Sequence, residues 1–343
     1  VCLSPARAQV TPSDILFSRL STMTSRMAYE QSGGDMKEIA PLLEEAGKLA
    51  ASDPTQSYRA YMKASALMNG VKWTPDAELA AALDFSLNAK IVGAGAALQT
   101  RATFLFDAPG ATNAPYRLEL EILKDEKTRE ALVESGISLG DVRSRRGGET
   151  IGLTFDPSKL VGPGLHLIRA TLKDSKGATH GQYYRSFFVI NDLNKRLAAI
   201  EKMIELAPDN QSQAALTARY YLETVGLARH AYLGGGFQNL TGLLHTAYRA
   251  RGFALVEMMN FDAALDEAMK LAAAIKEGRN PIAEARGHLR LAYRSSFDGK
   301  LVPYRVYVPS NYDKSKAYPM NTMLHGAGGD ENNFMDRYDG LWP

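Results

Sequence analysis

The spacing of the apolar residues changes three times along this chain, and each spacing restricts how its segment can fold. Up to about residue 92 the apolar residues recur every three or four positions, which is typical of helices that pack through one face. Between residues 93 and 190 they alternate with polar residues, as in half-buried strands. Helical spacing then returns up to about residue 287, and alternation follows it. The sequence therefore predicts a multidomain α+β protein.

The first segment carries a helix start signal at its beginning and another near its end. In Thr11-Pro12-Ser13-Asp14 a capping hydroxyl, a proline suited to the first helical position and an acid in the first turn predict a helix start. Thr74-Pro75-Asp76 repeats this pattern and predicts a fourth helix, after two that follow the Gly33-Gly34 break. The apolar stripes of the first and fourth helices are predicted to lie in the core: Leu16, Leu20, Met23 and Met27, and Leu79, Leu83 and Leu87.

The alternating segment predicts short strands joined by turns rather than by helical crossovers. The strand candidates are residues 103–106, 116–123, 151–155, 166–172 and 183–190. A small antiparallel β-sandwich over residues 93–190 is the expected fold. The stretch 125–148 does not alternate cleanly, and we expect a helix over residues 128–134 followed by a loop.

Helical spacing returns after residue 190. Leu193, Leu197, Ile200 and Ile204 form one stripe, and Asn260 is a capping residue for a later helix that ends at Gly278. The predicted organisation is a signal-peptide remnant over residues 1–8, a helical region over 9–92, the β-sandwich over 93–190, a helical subdomain over 191–287 and a last region over 288–343.

The last region predicts a hairpin that leads into a glycine-rich loop. Alternating residues from Leu289 to Phe297 precede Asp298-Gly299, which is a strong hairpin turn signal, and a returning strand is expected over residues 302–308. Tyr318-Pro319 then leads into a third strand expected over residues 320–324. His325-Gly326-Ala327-Gly328-Gly329 follows directly.

This order resembles the start of the catalytic domain in secreted α/β-hydrolase esterases. The motifs are Tyr304-Arg305-Val306-Tyr307-Val308-Pro309, Tyr318-Pro319 and the glycine loop, all within residues 289–343. The chain is similar there to the polyhydroxybutyrate-depolymerase and feruloyl-esterase group and to prolyl-oligopeptidase-like serine hydrolases. The strand before the loop departs from the family, because Asn321 interrupts a run that is usually aliphatic.

The resemblance implies an α/β-hydrolase sheet and an oxyanion hole in the loop after its third strand. Backbone N–H groups stabilise the oxyanion, and glycine lets the backbone approach it without a Cβ. Ala327 is the expected donor, with Gly326 and Gly328 beside it and His325 and Gly329 supporting the loop. The family's serine, acid and histidine follow this loop, and residues 330–343 hold no such set. We therefore expect this chain alone to be inactive.

Gly136-Ile137-Ser138-Leu139-Gly140 matches the G-x-S-x-G pattern of a serine nucleophile. It precedes the glycine loop, whereas the hydrolase fold places the nucleophile after it. The residues before it are charged and do not predict a buried strand. A structural role is the better interpretation of this match.

Composition excludes several other functions. Lys and Arg number 40 against 38 Asp and Glu, so the charge gives no reason to expect a nucleic-acid partner. A single cysteine, Cys2, and six scattered histidines predict neither a metal nor another cofactor. No apolar run is long enough for a membrane span. Ala6 and Ala8 match a signal-peptidase site before Gln9, which predicts a secreted or periplasmic protein, although a lipid anchor on Cys2 is a rival interpretation.

Two functions remain open from the sequence. The first is a serine ester hydrolase, or a peptidase, whose substrate is an ester or peptide and possibly a polymer; residues 9–287 would then position or restrict that substrate. The second is a scaffold that binds a polymer or a partner and carries a degenerate hydrolase tail. An aromatic platform of Tyr183, Tyr184, Phe187 and Phe188 would support the second function. The oligomeric state does not follow from the sequence.

Overall fold

A computed structural model describes residues 10, 12–107, 114–125, 127–230 and 260–324 of the chain. These residues form a mixed arrangement of helices and antiparallel sheets. They divide into two compact units. Within the described ranges, the first unit holds residues 10–90 and Gly95–Val189, and the second holds Ile91–Ala94, residues 190–230 and residues 260–324. The predicted multidomain α+β class is confirmed at this level.

The first unit begins with four helices: α1 (Pro12–Gln31), α2 (Ile39–Leu49), α3 (Pro54–Met68) and α4 (Pro75–Ala82). Two of them start at capping side chains that accept backbone N–H groups, which are otherwise unsatisfied in a first helical turn. Asp53 accepts the N–H of Gln56 at 3.0 Å, and Thr74 accepts that of Ala77 at 3.2 Å. The cap predicted at Thr74 is thus confirmed, and α1 begins at Pro12 as predicted, although its predicted cap Thr11 lies outside the described residues.

Helix α1 buries the face opposite to its apolar stripe, which is the face that the sequence predicts to be exposed. Its buried side chains include Ser18, Ser21 and Thr22, and α1 packs against α3. Leu16, Leu20, Met23 and Met27 are exposed, so their predicted place in the core is wrong. Small side chains allow two helices to approach closely, and α3 presents the small buried residues Ala60 and Ala64.

Two antiparallel sheets complete the first unit. One has the strand order β1-β3-β6, and four strands of the other follow the order β8-β7-β4-β5. The strands are β1 (Leu83–Leu87), β3 (Leu98–Phe104), β4 (Tyr116–Leu123), β5 (Arg129–Gly140), β6 (Thr150–Phe155), β7 (Gly164–Lys173) and β8 (Thr179–Ile190). The strands predicted near 116–123, 151–155, 166–172 and 183–190 are confirmed, and the one predicted at 103–106 lies earlier, as β3.

Parts of two predicted helices are strands in the structure. Leu83 and Leu87 belong to β1 rather than to the fourth helix, which ends at Ala82. Alternate residues of β1 are buried, so the leucine spacing of four fits a strand face as well as a helix face. Residues 128–134, predicted as helix, lie mostly in β5, whose pairing with β4 satisfies its backbone in spite of its charged side chains.

The second unit contains the short strand β2 (Ile91–Gly93), helices α5 (Leu193–Glu205), α6 (Gln213–His230) and α7 (Phe261–Lys276), and the strands β9 (Gly287–Arg294) and β10 (Leu301–Val308). The N-cap predicted at Asn260 is confirmed, since its side chain accepts the N–H of Ala263 at 3.1 Å. Gly278 ends α7 with a φ of 74°, a conformation that favours glycine. Helix α6 packs against α7 and against β9.

Candidate functional site

The hairpin that precedes the glycine loop has the predicted strands and turn. Strands β9 and β10 pair antiparallel from Arg294 opposite Leu301 to Gly287 opposite Val308. The N–H of Ser295 donates to Lys300 O at 2.8 Å, and Gly299 takes a φ of 72° in the turn. Because side chains alternate along a strand, seven apolar residues of the hairpin share one face. They are Leu289, Leu291, Tyr293, Val302, Tyr304, Val306 and Val308.

The outer edge of β9 is closed by helix α6. The N–H of Ala292 donates to Thr217 Oγ1 at 3.1 Å, and Gln213 Nε2 donates to the carbonyl of Ala292. Gln213 and Thr217 are four residues apart and therefore lie on one face of α6. Both backbone groups of Ala292 are thus satisfied on the side away from β10.

The other strand of the hairpin, β10, has no second strand beside it among the described residues. Ala292 lies opposite Pro303, and its backbone groups point away from β10. Since residues opposite each other in a non-bonded antiparallel pair both direct their backbone groups outward, Pro303 directs its carbonyl to the outer edge of β10. Helix α6 occupies the backbone groups of Ala292 on the edge of β9, and Pro303 has no N–H to offer on the edge of β10, so a strand that joined β10 would lose one ladder hydrogen bond there.

Aromatic and basic side chains fix α6 against the hairpin. The guanidinium carbon of Arg290 lies 5.4 Å from the ring centre of Tyr220 and 5.5 Å from that of Tyr221. Arg290 also donates to the Tyr220 hydroxyl at 3.2 Å. Burial raises the pKa of Tyr221, and the charge of Arg290 lowers it in part. This arrangement orients the hairpin and offers no nucleophile.

The segment after β10 differs from the sequence prediction. The ring of Tyr318 lies 5.1 Å from that of Tyr312, and the Tyr318 hydroxyl accepts the N–H of Asp313 at 3.1 Å. Residues 320–324, predicted as the third strand, form no strand and are exposed. Their backbone has no neighbouring strand among the described residues, and an isolated strand leaves its backbone groups unpaired. The five predicted site residues His325, Gly326, Ala327, Gly328 and Gly329 lie outside the described residues.

The G-x-S-x-G match is part of strand β5. The β4–β5 register shifts between Leu118 and Leu120, and Gly136 lies at this bulge with a φ of 54°. Ser138 pairs with Arg117 near the end of the strand, whereas a nucleophilic serine of this motif sits on a sharp turn into a helix. The structure confirms that the match has a structural role.

Three titratable clusters of the first unit were not predicted. Nδ1 of His166 lies 2.6 Å from Glu130 Oε2, and its Nε2 lies 2.8 Å from the carbonyl of Gly162. Both ring nitrogens are therefore bonded, which is typical of a structural histidine. Nε2 of His180 contacts Asp174 at 3.1 Å.

The third cluster is buried and centres on Asp84. Arg185 donates to Asp84, and Tyr183 donates to the carbonyl of Ala80 at 2.7 Å. Burial raises the pKa of Tyr58, Tyr183 and Asp84. No sequence signal marks this cluster, because its members come from α3, β1 and β8.

Metal binding and membrane insertion receive no support from the described part of the chain. Among those residues no group of three or more His, Cys, Asp or Glu side chains is placed to hold a metal ion. No helix within the same ranges is both long and apolar enough to cross a membrane.

Comparisons with known proteins give no family. No protein-family model matches the chain, and no curated protein matches it. Among solved structures, the DNA glycosylase AlkC of Pseudomonas fluorescens is matched at 9% identity and a TM-score of 0.18, over 42% of this chain and 50% of that one. Astrotactin-2, a vertebrate perforin-like membrane protein, is matched at 11% identity and a TM-score of 0.21, over 67% of this chain and 48% of that one. The matches cover about half of each of these two neighbouring proteins. At TM-scores this low they support no conclusion about the fold or the function of this chain.

Proposed function

We propose that residues 288–343 open the α/β-hydrolase domain of a secreted serine hydrolase that cleaves carboxylic esters. The observation that supports this proposal is the asymmetry of the β9–β10 hairpin. Gln213 and Thr217 occupy the backbone groups of Ala292 on the edge of β9. We therefore expect further strands on the side of β10, apart from the one ladder bond that Pro303 cannot make. A hydrolase sheet that begins with this hairpin needs its next strands on that side.

The exposed apolar residues after the hairpin also fit this proposal. Met320 and Leu324 are 86% and 88% exposed, and they bound the segment that the sequence predicts as the third strand. The apolar hairpin face carrying Val302, Val306 and Val308 is only half-buried. Surfaces of this kind are normally covered. In the proposed domain, further strands and helices cover both.

The proposed chemistry is acyl transfer. A serine beyond Gly329 attacks the ester carbonyl carbon while a histidine takes its proton, and the carbonyl oxygen becomes an oxyanion. The backbone N–H of Ala327 donates to that oxyanion, with Gly326 and Gly328 keeping the approach unobstructed. The histidine returns the proton to the leaving alcohol, and water then releases the acid from the serine. His325 and Gly329 support the loop, and no cofactor takes part.

The upstream units complete the proposal. A signal peptide that ends at Ala8 would direct export to the periplasm or beyond the cell and be cleaved before Gln9. The two sheets of the first unit would form an accessory β-sandwich that positions or restricts a substrate, which could be polymeric. The scaffold alternative loses its expected binding platform, because Tyr183, Tyr184, Phe187 and Phe188 are all buried.

Two substitutions at Ala327 test whether its backbone N–H binds the oxyanion. They are made in the protein translated from the full open reading frame that contains this chain. Ala327→Pro removes the N–H, and we expect kcat on a p-nitrophenyl ester to fall by about 10²–10³-fold. Ala327→Gly retains the N–H and serves as the matched control, with activity close to that of the unaltered protein. Equal kcat values in the two variants would exclude this donor.

A further inference from the structure

Helix α1 presents a continuous apolar stripe to solvent. Leu16, Leu20, Met23 and Met27, which we call the α1 seam, are 52%, 40%, 53% and 62% exposed. Single exposed apolar residues are common on protein surfaces, whereas a contiguous patch is typical of an interaction site. The α1 seam is contiguous, since its members follow one another along one side of a single helix.

The opposite face of α1 explains why the seam is not in the core. The hydroxyl of Ser18 donates to Asp14 O at 2.7 Å, and that of Thr22 donates to Ser18 O at 2.6 Å. The hydroxyls of Ser18 and Thr22 are satisfied by the helix's own backbone, which lowers the cost of burying them, whereas the buried Oγ of Ser21 has no hydrogen-bond partner among the described residues. The helix could not turn its seam inward without exposing the surface that now packs on α3.

The spacing of the seam fits a helical partner. Its members are separated by four, three and four residues, which is the heptad spacing of a coiled-coil seam. Two apolar residues per heptad make a narrow stripe, and the side chains of another helix interlock with such a stripe. Helices that lie on a membrane surface have a broader apolar face and keep their polar face in water. In α1 the polar face is buried against α3.

The charges beside the seam identify the kind of helix. Arg19 and Arg26 lie on the same exposed side of α1. The one acid of that exposed side, Glu30, is bonded to Arg26 at 2.8 Å. The border of the seam is therefore net positive. We propose that α1 docks an amphipathic helix of a partner protein whose apolar seam is flanked by glutamate or aspartate.

A second copy of this chain fits less well. Its α1 would bring the same two arginines to the border and no unpaired acid to meet them. An acidic helix instead places opposite charges at the border, where complementarity favours association and selects the partner.

Peptide binding to the full chain tests this proposal. The probe is a fluorescent three-heptad peptide with leucine at positions a and d and glutamate at e and g, and a second peptide carries lysine at e and g. By fluorescence anisotropy we expect the glutamate peptide to bind at least ten-fold more tightly than the lysine peptide. Leu20→Asp with Met23→Asp should abolish binding of both. Met320→Asp, an exposed apolar residue elsewhere, is the matched control and should leave binding unchanged.

Reversing the charges beside the seam tests the proposal even if the Leu20→Asp, Met23→Asp variant does not fold. Arg19→Glu with Arg26→Glu leaves the seam intact, and we expect it to reverse the preference in favour of the lysine peptide. The proposal is overturned if neither peptide binds or if the preference survives the reversal. Two further results would overturn it in favour of another occupant: seam-dependent dimers in light scattering, or seam-dependent binding to phosphatidylglycerol vesicles.

Discussion

The guanidinium of Arg185 in β8 donates a 3.0 Å hydrogen bond to Oδ1 of Asp84 in β1, and its side chain is only 1% exposed. Arg185 also donates to Tyr184 O at 2.8 Å. Burial raises the pKa of Asp84, and the charge of Arg185 lowers it in part. The ion pair therefore joins two strands of different sheets and keeps a buried carboxylate compensated.

Removing one partner of this pair should destabilise the first unit strongly. In Arg185→Met the carboxylate of Asp84, which is only 20% exposed, stays without its cation, and the free energy of unfolding should fall by about 3–5 kcal/mol. Urea titration followed by tryptophan fluorescence measures this loss. Arg143→Met, at an exposed arginine, is the control and should lower the free energy of unfolding clearly less. A similar small loss in both variants would contradict the role of the Asp84–Arg185 pair.

The bond between Thr217 and the edge of β9 gives a second prediction. Thr217→Val keeps the side-chain shape but leaves the buried N–H of Ala292 without its acceptor, which should cost about 1–3 kcal/mol. Hydrogen exchange at the Ala292 amide should become faster. Thr224→Val is the matched control, because its hydroxyl donates only within α6, to Tyr220 O at 2.8 Å. Unchanged exchange at Ala292 in Thr217→Val would contradict the closed edge of β9.

The bulge in β5 gives a third prediction. A Cβ at Gly136 would lie 2.6 Å from Leu118 O, and its φ of 54° also disfavours other residues. Gly140 has a similar φ of 64°, but a Cβ there meets nothing closer than 3.9 Å. Gly136→Ala should therefore lower the thermal midpoint clearly more than Gly140→Ala, which carries only the conformational cost of about 1–2 kcal/mol. Equal midpoints would show that the close contact does not matter.

The Asp141–Arg143 pair gives a prediction about pH. Arg143 donates to both carboxylate oxygens of Asp141, at 2.8 and 2.6 Å, and its side chain and backbone N–H hold the pKa of Asp141 at about 2, below the usual 3.8. A depressed pKa stabilises the folded state above the unfolded pKa, and this contribution is lost as the pH falls through about 2. Carboxyl-carbon NMR titration should show the low midpoint, and Arg143→Gln should move it up towards 3.8. An unchanged midpoint would contradict this cause.

The sequence predicted the elements whose signals are local. The caps at Thr74 and Asn260 and the turn at Asp298-Gly299 each involve a few adjacent residues, and all three are confirmed. Strand β4 has the predicted bounds because its alternation is unbroken. Helix α6 was missed, although Ser212 Oγ accepts the N–H of Ala215 at 3.3 Å and is a start signal in the sequence.

The features that the sequence did not predict correctly are determined by contacts between residues that are distant in the sequence. The first half of strand β5 was predicted as a helix and the rest as a loop, because its charged side chains conceal the pairing with β4. The α1 seam was placed in the core because apolar spacing alone does not tell which face of a helix packs on its neighbour. Thr217 and Gln213 could not be assigned to the hairpin, since 75 and 79 residues separate them from Ala292.

Labelling with a fluorophosphonate tests the proposed hydrolase most directly. The probe is applied to the protein made from the uninterrupted reading frame and, in parallel, to the 343-residue chain. Mass spectrometry of the labelled peptides should place the label on one serine that follows Gly329 within a G-x-S-x-G sequence. The 343-residue chain should take up no label and show no turnover of p-nitrophenyl acetate. A label on Ser138, or none on the longer protein, would contradict the account.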